Sequence, residues 1–598
     1  MSRAMQFRLP SPRLRLALII FATFPAPADA RPAPRGNAHW AVPAQPGLVS
    51  AADPRAAAAG VEILRKGGSA TDAAIATMLA LNVVEPESSG IGGGSFIVRY
   101  DAANGRTDTI DGRETAPKAA DPHWFYTAAG TPLSHSAAIP GGRSVGVPGA
   151  LRAMALAHKS GGRLPWAALF QPAIRLARDG WTLSPRFVTM VGLVSRWNLL
   201  DADTAHRFLG PDGKPLPAAT RVRDPEQAAL FERIANAGPE AFYTGEAPKI
   251  VATVNGAARN PSKMTLADIA AYRAKERPPV CARYRVWRIC SMGPPSSGGL
   301  AVLMILKQLE RFDMAALGPR SPEAWHLFAE SSRLAYADRD LYMADADFVQ
   351  VPVAGLLDPA YLASRSALIS PERSIGHAAA GTPPGAPKRI SVPPGERAGT
   401  TDLAVVDRNG NVVEVTTTIE SVFGSGLSVD GTMLNNQLTD FDIVPDKDGF
   451  LAANRVEAGK RPRSSMAPTI VYGPDGKVRI ALGAAGGQTI IAQVAKALVA
   501  VLDWKMSAQD AIGLGLVYAA GDTIIAEKGT QAEAMAPALR ALGQKVQVAP
   551  LGLKANAIER VNGHWVGAAD PRSEGVAMSE TGEVTHIQRA AEQQRPPE

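Results

Sequence analysis

The stretch that decides the fold is Gly399-Thr400-Thr401-Asp402-Leu403-Ala404-Val405-Val406, followed by residues 407–410 (DRNG) and the run 412–418 (VVEVTTT). Runs rich in Val and Thr favour β-strands. An Asn-Gly pair between two such runs is a strong hairpin signal. The sequence therefore predicts two antiparallel strands, 400–406 and 412–418, joined by a tight turn.

The segment before this hairpin has a different composition. Residues 376–399 read GHAAAGTPPGAPKRISVPPGERAG, which is dense in Gly and Pro and nearly without large apolar side chains. Such a segment buries too little apolar surface to order itself. We therefore expect a flexible tail that runs directly into a sheet at Thr400.

Thr400 is the best candidate nucleophile, on the condition that it becomes a chain terminus. The α-amine of a terminal residue has a pKa of about 7.7 to 8.0, so its neutral form can accept the hydroxyl proton near physiological pH. One residue then supplies both the nucleophile and the base. In mid-chain, Thr400 would be an ordinary strand residue.

A glycine-rich junction lies farther along the chain. A hairpin is predicted from strand 469–472, turn 473–476 (GPDG) and strand 477–482, and it leads through residues 483–487 (GAAGG) into an apolar helix from about 489 to 501. Glycines at a strand-to-helix junction leave backbone N–H groups bare at the positive end of the helix dipole. An anion or a developing oxyanion would fit there.

The first thirty residues have the composition of a signal peptide. Four arginines precede an apolar stretch at 16–24, and Ala28-Asp29-Ala30 precedes Arg31 as a cleavage site. The apolar stretch is shorter than the roughly 20 residues that span a bilayer, and no later segment is long and apolar enough to do so. We therefore expect an exported, periplasmic protein without a membrane anchor after signal cleavage.

The distribution of charge argues against a nucleic-acid partner. Loss of residues 1–30 removes four Arg and one Asp, which lowers the formal charge from +7 to about +4. The remaining Lys and Arg residues are interspersed with Asp and Glu instead of being clustered on one face. At roughly 570 residues, the mature chain is long enough for several domains or for one large fold.

The only two cysteines, Cys281 and Cys290, flank an aromatic and basic stretch that is predicted to form two short strands around a turn. In an oxidising periplasm they could form a disulfide, and the alternative is two free buried thiols. No histidine or cysteine pair has metal-ligand spacing, so no metal site is predicted.

One rival nucleophile motif occurs at residues 142–146 (GRSVG), which match the Gly-x-Ser-x-Gly elbow of serine hydrolases. That elbow requires a strand before the serine and a helix after it. Residues 137–141 form a weak strand at best, and Pro148-Gly149 separates the motif from the next predicted helix. The context therefore disfavours the elbow.

Taken together, these features resemble the γ-glutamyltranspeptidase family. Matching motifs in the C-terminal part are 399–401 (GTT), 416–426 (TTTIESVFGSG), 433–437 (MLNNQ), 439–441 (TDF), 460–466 (KRPRSSM), 486–487 (GG) and 570–572 (DPR). Those in the N-terminal part are 67–74 (GGSATDAA), 85–90 (EPESSG), 111–114 (DGRE), 147–149 (VPG) and 294–299 (PPSSGG). The resemblance runs in family order from about residue 48 to about residue 575.

The resemblance implies an α/β (α+β) fold, a four-layer αββα sandwich of the N-terminal-nucleophile hydrolase type, without a cofactor. It also implies autocleavage between Gly399 and Thr400, which would give a large subunit, residues 31–399, and a small catalytic subunit, residues 400–598. The two subunits would stay associated in one fold. The implied catalytic residues are Thr400, its hydrogen-bond partner Thr418, and the oxyanion donors Gly486 and Gly487.

The implied donor, glutathione or another γ-glutamyl amide, has a zwitterionic head group. The residues implied for its α-carboxylate are Arg113, Ser464 and Ser465, and those for its α-ammonium are Glu420, Asp440 and Gln437. Taken singly, Arg113 could be a surface arginine, and the two serines could belong to a loop or a helix cap. The assignment therefore rests on the joint match.

Three features depart from the family pattern. Asp402 stands where many members have His, which bears on the rate of maturation. Glu420 stands where some members have Asn, and an acid there suits an ammonium group. The length of segment 442–460 relative to the lid that covers some family sites is not fixed by the resemblance, so the preference for the acceptor is open.

The expected activity is transfer of a γ-glutamyl group to water, amino acids or peptides. Two alternatives remain: a relative that acts on another acyl group, such as a cephalosporin side chain, and a non-catalytic periplasmic binding protein. The intact set of Arg113, Asp440 and the two serines favours the γ-glutamyl group. The presence of Thr400, Thr418 and the glycine pair argues against a protein that only binds.

Overall fold

A computed structural model describes residues 45–196, 198–390 and 399–585 of the chain. The predicted signal peptide, residues 1–30, lies outside the described residues, as do residues 391–398 of the predicted tail. Within the described ranges, no helix combines the length and the apolar character needed to cross a membrane.

The strands, in chain order, are β1 (Leu48–Ala51), β2 (Gly94–Asp101), β3 (Arg106–Gly112), β4 (Trp181–Thr182), β5 (Arg221–Val222), β6 (Lys275–Arg277), β7 (Val280–Tyr284), β8 (Trp287–Ser291), β9 (Gly399–Val406), β10 (Val412–Glu420), β11 (Ser428–Val429), β12 (Thr432–Met433), β13 (Asp446–Lys447), β14 (Phe450–Leu451), β15 (Thr469–Tyr472), β16 (Val478–Ala485), β17 (Val517–Ala519), β18 (Thr523–Glu527), β19 (Lys545–Ala549), β20 (Lys554–Val561), β21 (His564–Ala569), β22 (Val576–Ser579) and β23 (Val584–Thr585).

The helices are α1 (Pro54–Arg65), α2 (Ala70–Val84), α3 (His135–Ala138), α4 (Ala150–Gly161), α5 (Trp166–Asp179), α6 (Pro185–Ser195), α7 (Ala202–Phe208), α8 (Pro225–Ala237), α9 (Ala247–Asn255), α10 (Leu266–Ala271), α11 (Gly298–Leu309), α12 (Met314–Leu317), α13 (Pro322–Tyr342), α14 (Val353–Leu356), α15 (Pro359–Ser366), α16 (Thr489–Leu502), α17 (Ala508–Gly513), α18 (Gln531–Ala534) and α19 (Ala536–Ala541).

Two large sheets form the centre of the described structure. The first has the strand order β23-β22-β1-β9-β10-β2-β3-β6, and the second has the order β21-β20-β16-β15-β8-β7. Neighbouring strands are antiparallel throughout both sheets. Each sheet combines strands from before and after residue 399, so the two predicted subunits would share both sheets.

Helices cover the outer face of each sheet, while the inner faces pack against each other. Strands β9 and β10 contact β16, and β9 also contacts β20. Helices α1, α2 and α4 lie on the first sheet, and α11, α16 and α17 lie on the second, with α13 packed against α11. This arrangement is the four-layer αββα sandwich expected from the resemblance, and the predicted fold class is confirmed.

The alternation of side chains along β9 explains where Thr400 points. Leu403 and Val405 belong to the apolar layer beneath α1 and α2, whereas Ala404 and Val406 belong to the layer between the sheets. Thr400 is an even number of residues from Ala404 and Val406, so its side chain lies on the same face of β9 and points toward the second sheet. Both faces of β9 are buried, and its second half, residues 403–406, is apolar on both faces.

Helix α2 illustrates how local sequence sets the helical layer. Ser69 is its N-cap and forms a capping box with Asp72, each side chain accepting a hydrogen bond from the backbone N–H of the other residue. Its end at Glu85 reaches β9, because Thr401 Oγ1 donates a hydrogen bond of 2.9 Å to Glu85 Oε2. The helix therefore buttresses β9 from the outer side.

Residues 376–390 are held against α13 and α15, contrary to the expected flexibility. Asp338 accepts a hydrogen bond of 2.7 Å from the Gly381 N–H, and Tyr342 donates one of 2.7 Å to the Gly381 carbonyl. Arg365 donates to the Ala379 carbonyl at 2.9 Å. Polar side chains of the helices satisfy the backbone of this segment, so its order does not depend on the apolar burial that composition alone considers.

The stretch around the two cysteines forms the predicted pair of short strands, β7 and β8. Cys281 and Cys290 are directly opposite each other in the antiparallel register, with Cα atoms 4.1 Å apart, and a disulfide joins them. In the described structure they are therefore not the free thiols of the alternative interpretation.

Candidate active site

Two threonine hydroxyls meet at the start of the central hairpin. The antiparallel register places Thr418 of β10 opposite Thr400 of β9, and their Oγ1 atoms are 3.0 Å apart. Thr418 Oγ1 donates a hydrogen bond of 2.8 Å to the Gly399 carbonyl and accepts one of 2.8 Å from the Glu420 N–H. Since the single proton of Thr418 is used on Gly399, the Thr400 hydroxyl is the donor between the two threonines.

The glycine junction after β16 forms the turn that the sequence predicts before α16. Gly486 and Gly487 have φ angles of 134° and 58°, a backbone region that residues with a side chain rarely adopt. Neither of their N–H groups donates a hydrogen bond to another described residue. Two unused donors at the start of a helix suit an oxyanion.

A small polar cleft connects these features. It brings together every predicted catalytic and substrate-binding residue except Gly486, which directly precedes a lining residue. The residues that line the cleft are Arg113, Thr400, Thr418, Glu420, Gln437, Asp440, Ser464, Ser465, Met466, Gly487 and Ile490.

Arg113, directly after β3, is buried and lines the cleft. Its side chain is 1% exposed and forms an ion pair with Asp440, whose side chain is 5% exposed. The guanidinium also donates to the carbonyls of Pro462 and Arg463, at 3.2 and 2.7 Å. Gln437 Nε2 donates to Asp440 Oδ2 at 2.7 Å. Arg113 is therefore not a surface arginine, and the residues predicted for opposite charges of the substrate lie in contact.

The two predicted serines lie where the N-terminal part of the chain meets the C-terminal part. The Ser464 N–H donates to the Pro295 carbonyl at 3.1 Å, and the Ser464 carbonyl accepts from Ser297 Oγ at 2.6 Å. Ser465 Oγ accepts a hydrogen bond of 2.7 Å from Arg339 of α13. Both serines lie in a segment without helix or strand, and both are buried.

Glu420 occupies a strained position next to the threonine pair. Its φ angle is 78°, and the register of β10 shifts between Thr418 and Glu420. Such a bulge re-aims the side chain that follows it. The Glu420 carboxylate accepts hydrogen bonds from Ser421 Oγ, at 2.5 Å, and from Asn436 Nδ2.

Asp402, the departure from the family pattern, forms a buried acid pair with Glu414 between the sheets. Thr416 Oγ1 donates to Asp402 Oδ2 at 2.7 Å. Burial raises the pKa of Asp402 to about 7, while burial and the neighbouring Asp402 raise the pKa of Glu414 well above its usual range. A Cβ atom on Gly483 would lie 2.1 Å from Asp402 Oδ2, so a larger residue at position 483 would displace the acid pair.

Several residues of the site were not predicted as functional. Met466 and Ile490 line the cleft, and Ser421 and Asn436 hold Glu420. Asn436 lies in the family-like run 433–437 (MLNNQ), and the Asn pair in that run was the available signal. Met466 lies in the run 460–466 that resembles the family, whereas Ile490, at the start of α16, carried no signal, because an apolar side chain there is as typical of a core.

The rival serine motif does not form a nucleophile elbow. Residues Gly142–Ser144 make a 3₁₀ turn, and Ser144 Oγ donates to the carbonyls of Ile139 and Gly141, at 2.6 and 2.9 Å. The hydroxyl is thus used within its own turn. Among the described residues, no group of three or more His, Cys, Asp or Glu side chains is arranged to hold a metal ion.

The architecture and the position of the cleft define the class of the protein. An αββα sandwich with a threonine at the second position of a central strand, beside a polar cleft, fits the arrangement of N-terminal-nucleophile hydrolases. The structure is similar to that of cephalosporin acylase from Bacillus halodurans, with a TM-score of 0.77 and 25% sequence identity, over 94% of this chain and 99% of that chain.

The family is shown by the sequence. Residues 56–580 match the γ-glutamyltranspeptidase family. The chain is 34% identical over 577 residues to the glutathione hydrolase proenzyme of Bacillus subtilis strain 168, covering 94% of this chain and 96% of the relative. It is 35% identical over 547 residues to the acylase ACY 1 proenzyme of Pseudomonas sp. strain SE83, covering 90% and 94%. The chain belongs to the γ-glutamyltranspeptidase family, and the resemblance seen in the sequence is confirmed.

Proposed function

We propose that the protein is a γ-glutamyltransferase and glutathione hydrolase that cleaves itself before Thr400 and then uses Thr400 as its nucleophile. The observation that carries the proposal is the contact of Thr418 with both the Thr400 hydroxyl and the Gly399 carbonyl, in a cleft that also holds the Arg113–Asp440 ion pair. The contacts of Thr418 suit acyl chemistry, and the ion pair suits a zwitterionic donor.

Maturation begins with attack of Thr400 Oγ1 on the Gly399 carbonyl carbon. The new C–O bond forms as the Gly399–Thr400 C–N bond breaks, and the hydroxyl proton ends on the released α-amine. Water then hydrolyses the ester, which frees the Gly399 carboxylate and restores the Thr400 hydroxyl. The Thr418 hydrogen bond supports this step because it polarises the carbonyl that is attacked.

In turnover, the neutral α-amine of Thr400 takes the hydroxyl proton as Oγ1 attacks the γ-carbonyl carbon of the donor. The proton passes to the leaving amine, and the γ-glutamyl group stays on Thr400 as an ester. Water or the amine of an amino acid or peptide then attacks that ester. The N–H groups of Gly486 and Gly487 hold the oxyanion in both halves of the reaction.

The donor head group is held at the Arg113 end of the cleft. Arg113, Ser464 and Ser465 bind the α-carboxylate, while Asp440, Glu420 and Gln437 bind the α-ammonium. A zwitterion matches a cleft that presents one buried cation beside buried carboxylates, since each charge removed from water needs a partner.

The proposal includes export. The composition of residues 1–30 supports a signal peptide and a periplasmic location, where the Cys281–Cys290 disulfide would persist. N-terminal sequencing of the protein secreted by its host tests this: a chain that begins near Arg31 is expected, and a chain that retains Met1 contradicts export.

A second candidate is a relative that removes a different acyl group. Its support is the similarity to the acylase and the cephalosporin acylase named above. The two candidates differ in the need for an α-ammonium. A glutaryl amide lacks that group, so it would leave Asp440 and Glu420 without a cationic partner, and we expect γ-glutamyl amides to be turned over at least tenfold more efficiently.

One gel and one assay test the proposed function. Purified wild type is expected to give two fragments that meet at the Gly399–Thr400 bond, as judged by N-terminal sequencing, and to hydrolyse glutathione. Thr400→Ala is expected to remain one inactive chain, and Thr401→Ala serves as the neighbouring control that still cleaves. A wild type that stays intact yet active would contradict the mechanism, and preference for glutaryl amides would favour the second candidate.

A further inference from the structure

Helix α13 lies behind the cleft and contacts two segments that border it. Tyr336 and Arg339 are three residues apart, so they project from the same side of the helix. The Tyr336 hydroxyl donates a hydrogen bond to the Gln488 carbonyl, and Arg339 Nη2 donates one of 2.7 Å to Ser465 Oγ. Both side chains are fully buried, and neither lines the cleft.

The contact from Arg339 determines how Ser465 presents its hydroxyl. A guanidinium has only donors, so Ser465 Oγ is the acceptor and its own hydrogen points away from Arg339. A hydroxyl in that state is directed to donate, as binding of a carboxylate requires. Arg339 is itself fixed, because its Nε donates to Ser297 Oγ at 2.8 Å and its Nη1 pairs with Asp340 at 2.7 Å.

The contact from Tyr336 determines the position of the glycine turn. Gln488 directly follows Gly487 and is the N-cap of α16. Gly486 and Gly487 occupy backbone conformations open mainly to glycine, and glycines are the residues least able to hold such a turn by themselves. A hydrogen bond from Tyr336 to the next carbonyl therefore fixes the turn that carries the two N–H groups.

We propose that Tyr336 and Arg339 are positioning residues, with Tyr336 holding the oxyanion turn and Arg339 holding the carboxylate-binding Ser465. The inference rests on the proposed function. The two residues act on different stages of the reaction. The oxyanion exists only near the transition state, so weaker binding of the oxyanion lowers kcat. The α-carboxylate is bound before and during the reaction, so weaker binding of the carboxylate raises KM.

The same helix supplies matched controls. The Tyr342 hydroxyl donates to the Gly381 carbonyl at 2.7 Å, away from the cleft. Arg333 is as buried as Arg339, and it donates to the Asp522 carbonyl at 2.8 Å and to Gln544 Oε1 at 2.6 Å. Tyr342→Phe and Arg333→Lys therefore repeat each chemical change without touching the site.

The experiment is steady-state hydrolysis of γ-glutamyl-p-nitroanilide by the matured full chain. Tyr336→Phe is expected to lower kcat about tenfold with KM changed less than about twofold. Arg339→Lys is expected to raise KM about tenfold with kcat changed less than about threefold, because an ammonium cannot make the same set of directed hydrogen bonds. Both controls are expected to stay within about twofold of wild type in both constants.

Ser297→Ala gives a second route to Arg339 if the lysine variant does not mature. It removes the hydroxyl that accepts from Arg339 Nε and donates to the Ser464 carbonyl, and it keeps every charge; a rise in KM of about threefold is expected. The proposal is overturned if Tyr336→Phe matches Tyr342→Phe in kcat, or if neither Arg339→Lys nor Ser297→Ala raises KM above its control. An inactive wild type refutes the proposed function instead, so the two failures are distinguishable.

Discussion

Thr418 Oγ1 lies 3.0 Å from Thr400 Oγ1 and donates a hydrogen bond of 2.8 Å to the carbonyl of Gly399. One hydroxyl thus contacts both the oxygen that would attack and the carbonyl that it would attack. The antiparallel register of β9 and β10 produces this contact, because it sets the two threonines directly opposite each other. Removal of the hydroxyl should therefore affect the cleavage of the chain itself.

Thr418→Val keeps the shape of the side chain and removes the donor to Gly399. We expect autocleavage to slow by about a hundredfold, which is the scale of one lost hydrogen bond to a developing oxyanion. Thr418→Ser keeps the hydroxyl and should cleave within about tenfold of wild type. A timed denaturing gel of freshly purified precursor measures the rates, and equal rates for the valine variant and wild type would refute the role of Thr418.

Arg113→Ala should lower kcat/KM for glutathione by about ten- to a hundredfold or more, since a charge-assisted hydrogen bond is worth roughly 1.5 to 3 kcal/mol. It also leaves Asp440 without its buried cation. Arg113→Lys should recover only part of the loss, because an ammonium cannot reproduce the geometry of the guanidinium. Initial rates over a range of glutathione concentrations give both constants.

Autocleavage should survive in Arg113→Ala, because that step needs no bound glutamate. Arg540→Ala, at an exposed position of α19, is the control for general loss of an arginine. Wild-type kcat/KM in Arg113→Ala would show that the donor is placed wrongly, and loss of autocleavage would show that Arg113 also supports the precursor.

The acid pair between the sheets should make stability depend on pH. The pKa of Asp402 is raised to about 7 by burial, so the folded state binds a proton more tightly than the unfolded state does. The resulting stabilisation is fully present below about pH 4 and is lost as the pH rises through about 7, up to about 4 kcal/mol for a shift of this size. Asp402→Asn should therefore lose less thermal stability than wild type between pH 5 and pH 8.

Thermal unfolding at both pH values measures this difference. Asp475→Asn, in the exposed turn between β15 and β16, is the matched control and should follow wild type. An Asp402→Asn variant whose melting temperature falls as much as that of wild type over this range would show that Asp402 does not titrate there.

The disulfide should be detectable and should stabilise the fold. Cys281 and Cys290 are 9 residues apart, and closure of such a short loop is worth about 2 to 3 kcal/mol. The free energy of unfolding of the double variant Cys281→Ser/Cys290→Ser should be lower by that amount, so the variant should unfold at a lower denaturant concentration. Thiol labelling of unfolded, unreduced wild type should find no free thiol, and two labelled cysteines would refute the pairing.

Local pattern was enough to predict most elements that carry the site. The strands 400–406 and 412–418 were found as β9 and β10, and the helix expected from about 489 was found as α16. These elements depend on β-branched runs, turn residues and glycines within a few positions of one another. The order of the described tail at 376–390 was missed, because its partners lie on helices that composition does not reveal.

The sequence by itself determined the central hairpin, the glycine turn and the family, since each depends on residues close together in the chain or on motifs in a set order. Only the tertiary structure decided that Arg113 contacts Asp440 across 327 residues, that Asp402 meets Glu414 opposite Gly483, and that α13 supports Ser465. The physical reason is that such contacts depend on which strands become neighbours and which way each side chain points, and both are settled only when sheets and helices pack together.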